Sequence, residues 1–381
     1  MQYVPFGKLG FDISRLGFGC MRLPTVEADG KKAVDVPRAM ALIRAGIDGG
    51  ITYIDTAWPY HGGESENVVG LALRDGYRER VKLATKLPCW AVKERRDMDR
   101  ILDEQLKKLQ VPFVDFYLLH ALDKERWEKM KALGALEFLE SAVKDGRIRY
   151  PSFSFHDEYQ VFEEIITGYD WVMAQIQFNY LDTEYQAGLR GMALAKERGA
   201  SLVVMEPLRG GALARPSADI QAIIDAYPEK RSAVEWAFRF VGDYPEVATI
   251  LSGMSDEEQL ADNLRIFDGV KVGGLTEADK GLIAELKAGY RRRMPIGCTA
   301  CRYCQPCPMG VVIPDLFGDY NEASMFDDWG RMRRHYQGYI KEEQDAGRCI
   351  QCGACEEQCP QHLPIRDWLE TVHKAGTEGA E

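Results

Sequence analysis

From Leu16 to about Leu251, short β-rich runs alternate with longer segments whose apolar residues recur at three and four positions. The short runs are LGFGC (from Leu16), ITYID (from Ile51), VKLAT (from Val81), VDFYLL (from Val114), IRYPSFS (from Ile148), WVMAQIQ (from Trp171), SLVVM (from Ser201) and ATILSG (from Ala248). Segments such as PRAMALIRAGIDGG, MDRILDEQLKKLQ, WEKMKALGALEFLESAVKDG and AGLRGMALAKERGA lie between them, and their Asp-Gly, Gly-Gly and Arg-Gly endings are helix stops. Eight β/α units fit an α/β fold of the (β/α)8 TIM barrel type. An open doubly wound sheet would usually have fewer strands and a glycine-rich phosphate loop, and no GxGxxG follows any strand here. Ahead of the barrel, Tyr3-Val4-Pro5-Phe6 and Phe11-Asp12-Ile13-Ser14 flank a Gly7-Lys8-Leu9-Gly10 turn and predict a hairpin placed to plug the barrel floor. A helix from about Glu277 to Arg293 follows the last strand.

The cysteines divide the chain. Of 381 residues, the first 297 contain two cysteines and the next 62 contain eight, so we read a barrel at 1–294 and a small, mainly α module at 295–381. That module has 8 Lys+Arg and 14 Asp+Glu in 87 residues, contributing −6 of the formal −11. It has few long apolar runs, so metal is expected to supply much of its folding free energy. The acidic balance and the lack of a long basic stripe argue against nucleic acid as a partner. The short clusters Arg291-Arg292-Arg293 and Arg331, Arg333, Arg334, His335 suit helix ends or solvated faces. The N-terminus lacks a charged region followed by an apolar core, and no stretch approaches ~20 consecutive apolar residues. No membrane association and a cytoplasmic, reducing location are therefore expected.

The eight clustered cysteines read Cys298-x2-Cys301-x2-Cys304-x2-Cys307-Pro308 and Cys349-x2-Cys352-x2-Cys355-x3-Cys359-Pro360. Zinc also takes Cys-x2-Cys pairs, but usually pairs separated by a longer stretch. A third cysteine two residues on and a terminal Cys-Pro favour 4Fe-4S clusters, two of them by cysteine count. The second run resembles the bacterial ferredoxin pattern residue for residue, whereas the first is one residue short in its last spacing. That resemblance implies crossed wiring, with Cys307 completing the site of Cys349, Cys352 and Cys355, and Cys359 that of Cys298, Cys301 and Cys304.

In a TIM barrel, reactive groups belong at the C-terminal ends of strands. The second strand ends Asp55-Thr56-Ala57-Trp58-Pro59-Tyr60, the third Ala84-Thr85-Lys86 and the fourth Leu118-Leu119-His120, which would bring an Asp, a Tyr, a Lys and a His to one mouth. Alone, each has a bland reading as a surface charge, a packed aromatic or a satisfied histidine; their joint placement favours chemistry. With the opening RLGFG, these segments resemble the aldo-keto reductase family over nearly the whole barrel. The resemblance implies hydride transfer between a nicotinamide, NAD(P)H, and a small carbonyl or alcohol substrate. Tyr60 would be the proton donor, Lys86 paired with Asp55 would lower its pKa, and His120 would orient the carbonyl oxygen.

By the same resemblance, Ser154 and Gln175 would hold the carboxamide, Pro207-Leu208-Arg209-Gly210 would wrap the pyrophosphate, and Gln259 and Asn263 would lie at the adenine end. Phe155 departs from a frequent Asn, and Met205 from an aromatic that stacks on the nicotinamide. The acidic Asp256-Glu257-Glu258 stands where many relatives carry a cation for the 2′-phosphate, so NADH is expected over NADPH. Trp58, Cys89 and Trp90 follow strand ends and are candidates to line the substrate pocket, or equally for loop packing, while Cys20 reads as a small buried hydrophobe.

Barrel and tail together resemble the aldo-keto reductases that carry a C-terminal cluster domain. Hydride transfer needs no iron, so the clusters are expected to exchange single electrons with a ferredoxin-like carrier, to sense redox state, or to staple the tail. The alternative, motivated by Phe155 and Met205, is an electron-transfer or redox-sensing protein on a barrel that no longer reduces carbonyls.

Overall fold

The computed structural model describes residues 1–28 and 30–378. It opens on the antiparallel hairpin β1 (Tyr3–Pro5) and β2 (Asp12–Ser14). Strand β3 (Leu16–Gly19) follows, then a second hairpin, β4 (Thr25–Ala28) and β5 (Lys31–Val34), whose polar sequence gives no strand signal. The alternation then runs α1 (Val36–Asp48), β6 (Tyr53–Asp55), α2 (Ser65–Ala72), β7 (Lys82–Leu87), α3 (Arg95–Leu109), β8 (Val114–Leu122), α4 (Lys124–Ala132), α5 (Ala135–Lys144), β9 (Ile148–Phe155), α6 (Tyr159–Thr167), β10 (Met173–Gln177), α7 (Gly188–Arg198), β11 (Ser201–Met205), α8 (Ala218–Ala226), α9 (Ala233–Gly242), β12 (Val247–Ser252) and α10 (Glu257–Gly269). Eight strands close into a parallel barrel in the order β3-β6-β7-β8-β9-β10-β11-β12. Every run expected as a barrel strand is one.

Two apolar layers hold the barrel. Between strands and helices lies a large core that includes Leu42, Ile43, Val69, Ile101, Phe138, Phe162 and Phe267. Inside the barrel, Tyr53, Ala84, Phe116, Leu118, Met173 and Val203 fill the interior. The first hairpin joins this inner layer through Phe6 and Ile13, both fully buried, and the Phe6 ring lies 4.9 Å from Phe116. The N-terminal hairpin thus contributes to the packed barrel interior. One irregularity bears on function: the β8–β9 register shifts between Leu119 and Leu122, and Ala121 takes a left-handed φ of 54°. A bulge of this kind re-aims the side chains beside it, and His120 is one of them.

The chain divides into two compact units, Met1–Leu213 with Val234–Thr276, and Ala214–Ala233 with Glu277–Glu381. The helix expected after the last strand, α11 (Glu277–Arg292), falls in the second unit, where it packs on α8: Ile220 and Gly289 meet closely, Tyr227 donates to Asp279 at 2.9 Å, and Arg293 pairs with Asp219 at 2.9 Å. The units therefore part at Glu277 instead of at 294, and a barrel-side helix, α8, joins the tail. The rest of the second unit is helical, with α12 (Ile313–Phe326), α13 (Trp329–Gly338), α14 (Ala354–Glu357) and α15 (Ile365–Thr377). Its core, including Ile296, Leu316, Phe317, Leu369 and Val372, packs against Cys298, Cys304, Cys307, Cys349 and Cys355. Among the described residues, no helix is long and apolar enough to cross a membrane.

Phe6 supplies the test of the floor plug. Truncating Phe6→Ala empties a fully buried aromatic site and is expected to lower stability by about 3–5 kcal/mol in urea unfolding; a change below 1 kcal/mol would show that the hairpin is not part of the packed interior.

Candidate active site and cluster site

Strands β6, β7 and β8 are neighbours in the barrel, so residues at their C-terminal ends face one mouth. Asp55 ends β6, Lys86 is the penultimate residue of β7, His120 lies in the β8 bulge, and Tyr60 begins the short 3-10 turn after β6. The structure brings the four together. Lys86 is fully buried and donates from Nζ to Asp55 Oδ1 at 2.6 Å, to the Thr56 carbonyl at 2.8 Å and to the Tyr60 hydroxyl at 3.3 Å. The Tyr60 and His120 rings meet edge to face at 6.2 Å.

Burial lowers the Lys86 pKa, but Asp55 and Tyr60 together outweigh it and hold the ammonium above its ordinary range. The expected lowering of Tyr60 is not the net result. Burial raises the phenol more than the neighbouring Lys86 lowers it, so the resting hydroxyl is protonated. His120 is driven well below the usual histidine range by burial, then by Lys86, His156 and Arg126, and is neutral. Its Nδ1 is buried without a hydrogen-bond partner among the described residues.

Sequence reasoning misses the layer behind these groups. Glu66 is fully buried and accepts from Thr85 Oγ1 at 2.7 Å and Gln105 Nε2 at 2.6 Å, with Lys108 Nζ 3.6 Å away. Gln105 also donates to the Lys86 carbonyl at 3.0 Å and accepts from the Tyr117 hydroxyl at 2.7 Å. This network fixes the β7 backbone on which Lys86 stands. Its sequence signal is only a polar Gln at an otherwise apolar position of α3. Of the candidate pocket residues, Trp90 lies 5.1 Å from the His120 ring, Trp58 packs under Lys108 Nζ at 4.2 Å, and Cys89 and Cys20 are buried thiols whose pKa values burial raises.

The residues expected to hold a nicotinamide surround the same mouth. Gln175 is buried, its Nε2 lies 3.8 Å from Met205 Sδ, and its Oε1 has no hydrogen-bond partner among the described residues, an orphaned acceptor suited to an amide donor. Ser154 Oγ accepts from the Ala121 amide at 2.7 Å. Pro207-Leu208-Arg209-Gly210 forms a tight turn with left-handed Glu206, Arg209 and Gly210; Arg209 Nε is held by Asp182 at 3.0 Å and the Gly210 carbonyl by Arg22 at 3.0 Å. Gln259 is engaged internally, accepting from the Ser255 amide at 3.0 Å and donating to Asp256 at 2.6 Å, while Asn263 is buried against Ser252 Oγ at 3.0 Å. The segment Asp256–Glu258 has no cation of its own, but α1 brings one: Arg38 grips Glu257 through Nε at 3.0 Å and Nη2 at 2.6 Å. Nothing in the sequence joins positions 38 and 257.

In the second unit, Cys298, Cys301 and Cys304 line one cavity together with Cys359, sixty residues or so further along. Ile313, Phe317 and Leu363 supply its apolar wall. Four thiols around one cavity are the donor set that a 4Fe-4S cubane takes. The other four cysteines, Cys307, Cys349, Cys352 and Cys355, remain as a second set, and Cys349 and Cys355 are close enough to interact electrostatically. Cys301 and Cys352 are the exposed members of their runs.

Known proteins match the barrel and the cysteine-rich region separately. The model of the aldo/keto reductase family matches residues 15–273, and that of the 4Fe-4S dicluster domain matches 297–363. The aldo-keto reductase YhdN of Bacillus subtilis is 31% identical over 185 residues, 43% of this chain and 55% of YhdN; the probable aldo-keto reductase 1 of Glycine max is 32% identical over 162 residues, 40% of this chain and 45% of its own. The chain thus spans about half the length of these curated relatives. Among solved structures, the holo form of the aldo-keto reductase AKR11C1 from Bacillus halodurans superposes with a TM-score of 0.62 at 26% identity, covering 75% of this chain and 96% of that one. An aldo/keto reductase from Klebsiella pneumoniae, solved with NADP and acetate, gives 0.59 at 25% identity, covering 75% and 95%. With the family's match extending over most of the chain and a closed eight-stranded parallel barrel within that range, this protein belongs to the aldo/keto reductase family and carries a 4Fe-4S dicluster domain later in its sequence.

Proposed function

We propose that the barrel is an NAD(P)H-dependent oxidoreductase of small carbonyl or alcohol compounds in which Tyr60 donates the proton. One observation carries this reading: the buried Lys86 ammonium contacts both Asp55 and the Tyr60 hydroxyl beside a neutral His120. When bound, a nicotinamide supplies the hydride and a 4Fe-4S cluster supplies single electrons. The chain's own residues do the rest. Tyr60 releases its proton to the substrate oxygen as charge builds there, and Lys86 stabilises the phenolate left behind. Asp55 keeps that ammonium charged and in place, and His120, unable to compete as a cation, orients the carbonyl oxygen. Ser154 and Gln175 suit the carboxamide, and the 207–210 turn the pyrophosphate. Loss of carbonyl turnover in Tyr60→Phe by about a hundredfold or more, with nicotinamide binding retained, is the expected result. Unchanged turnover would remove Tyr60 from the mechanism, and the electron-transfer reading would then gain.

The Arg38–Glu257 pair supports a preference for NADH, because the cation that meets the acidic segment is already engaged by a carboxylate, and Arg22, which lies against Gly253, donates to the Gly210 carbonyl. Steady-state kinetics should show a lower KM for NADH than for NADPH, and Glu257→Gln, by releasing Arg38, should improve NADPH use by about tenfold. A native enzyme that favours NADPH would overturn the preference.

For the second unit we propose crossed wiring, with Cys359 completing the Cys298, Cys301, Cys304 site and Cys307 that of Cys349, Cys352 and Cys355, in a module that exchanges electrons with a ferredoxin-like carrier in a reducing compartment. The thiol set around the cavity supports it. Anaerobic preparations should contain about eight iron atoms per chain. Cys359→Ala should alter the paramagnetic signal of the first run's cluster although Cys359 belongs to the second run; a change confined to the other cluster would reverse the wiring.

A further inference from the structure

The side of the mouth beyond His120 has a charge character of its own. Every charged group that acts on the His120 ring is cationic or becomes so on protonation: Lys86, His156 and Arg126. This occurs in a chain of net charge −11. Trp90, 45% exposed, has its ring 5.1 Å from the His120 ring and 5.9 Å from the Arg126 guanidinium, so one exposed aromatic neighbours both groups. An exposed tryptophan beside both a reaction-site histidine and an arginine has the form of a wall for a flat or apolar segment that ends in a charge.

Arg126 is held in a specific orientation. Its Nη1 donates to the Ala121 carbonyl at 2.8 Å and pairs with Asp123 at 2.9 Å, and Asp123 is itself fixed as the N-cap of α4. Ala121 is the left-handed residue of the β8 bulge, so the bulge that aims His120 also anchors the guanidinium. Both anchors use one nitrogen. The Nε and Nη2 edge donates no hydrogen bond among the described residues, and that edge is the two-donor fork that matches a carboxylate. Among the described residues Asp123 is the acid paired with Arg126, and it is already committed to Nη1 and to the helix cap. On the facing loop, His156 is tied to β8 by its amide, which donates to Leu122 O at 2.9 Å, and its ring stands 3.4 Å from the Gln186 amide, adding a second polar group to this side.

We propose that Arg126, with Trp90 and His156, forms a carboxylate subsite, and that the substrates are carbonyl compounds bearing a carboxylate across a flat or apolar spacer. This rests on the reductase reading given above and narrows it to a substrate class. The carbonyl end lies at Tyr60 and His120, the spacer against Trp90, and the carboxylate on the Nε and Nη2 edge. Because the Trp90 ring neighbours both His120 and Arg126, a spacer of about one aromatic ring suits the subsite, with the ring of the substrate against the indole.

The test compares para-carboxybenzaldehyde with its methyl ester on the holoenzyme. Native enzyme is expected to favour the acid in kcat/KM by about ten- to a hundredfold, the range for charge-assisted hydrogen bonds. Arg126→Gln should collapse that preference, and Arg126→Lys, which keeps the charge but not the fork, should restore only part of it. Equal use of acid and ester by the native enzyme would overturn the subsite, and needs no variant. Should neither aldehyde be reduced, the reductase reading fails separately, and calorimetry with terephthalate, which cannot be reduced at a carbonyl, still decides this one. Binding by native protein that weakens at least tenfold in Arg126→Gln supports the subsite; no binding, or equal binding by both, overturns it.

Discussion

A lysine ammonium with no access to water is the constraint around which the barrel mouth is organised. Taking such an ion out of solvent costs several kcal/mol unless its donors are met. Lys86 has three N–H donors, and Asp55, the Thr56 carbonyl and the Tyr60 hydroxyl provide three acceptors. Two of these are fixed by the end of β6, so satisfying the lysine also sets the register of two strand ends and the position of the phenol. The Glu66, Gln105 and Thr85 network then holds the β7 backbone from the outer side, so that Lys86 cannot relax toward solvent. On the reading proposed above, proton transfer at Tyr60 would meet a charge already in position, the condition under which electrostatic stabilisation costs no reorganisation.

The bulge in β8 gives the mouth its asymmetry. On the β6 side, Lys86 is balanced by Asp55 at 2.6 Å. On the other side, the left-handed Ala121 lets the strand present His120 to the mouth while turning its own carbonyl to Arg126. Burial, aided by neighbouring cations, holds the pKa values of His120 and His156 below the usual histidine range, so both rings accept or donate hydrogen bonds without adding fixed charge. It is on this side of the mouth that Arg126 and Trp90 offer the groups for the carboxylate proposed above.

The barrel was legible because its strands are apolar runs separated by helical periods, and each catalytic candidate sits at a strand end where topology alone dictates convergence. The hidden parts depend on groups distant in sequence. Arg38 meets Glu257 only because α1 and α10 lie together, and Arg126 matters only through a bulge that no local pattern announces. The β4–β5 hairpin is missed because Thr25–Val34 is short and polar, and α8 joins the second unit through contacts with α11 that a linear scan cannot see. The direction at Tyr60 escapes for a related reason. Sequence places a lysine beside the phenol, but the depth of burial that outweighs it is a property of the closed barrel.

The two units meet the same electrostatic difficulty in opposite ways. In the barrel, a buried carboxylate is offset by a lysine from the next strand, so the charge balance is complete within the chain. The second unit gathers eight cysteines within residues 295–381, a stretch that is already acidic, with 14 Asp+Glu against 8 Lys+Arg, and six of them pack in or against an apolar core. Thiolates gathered in such surroundings are balanced when a bound metal supplies the positive charge, so folding of this unit would be linked to its metal in a way the barrel's is not. The sparse apolar runs of its sequence nonetheless assemble a core around Ile296, Leu316, Phe317, Leu369 and Val372, and the cysteine spacing adds to that core a second source of information about the fold.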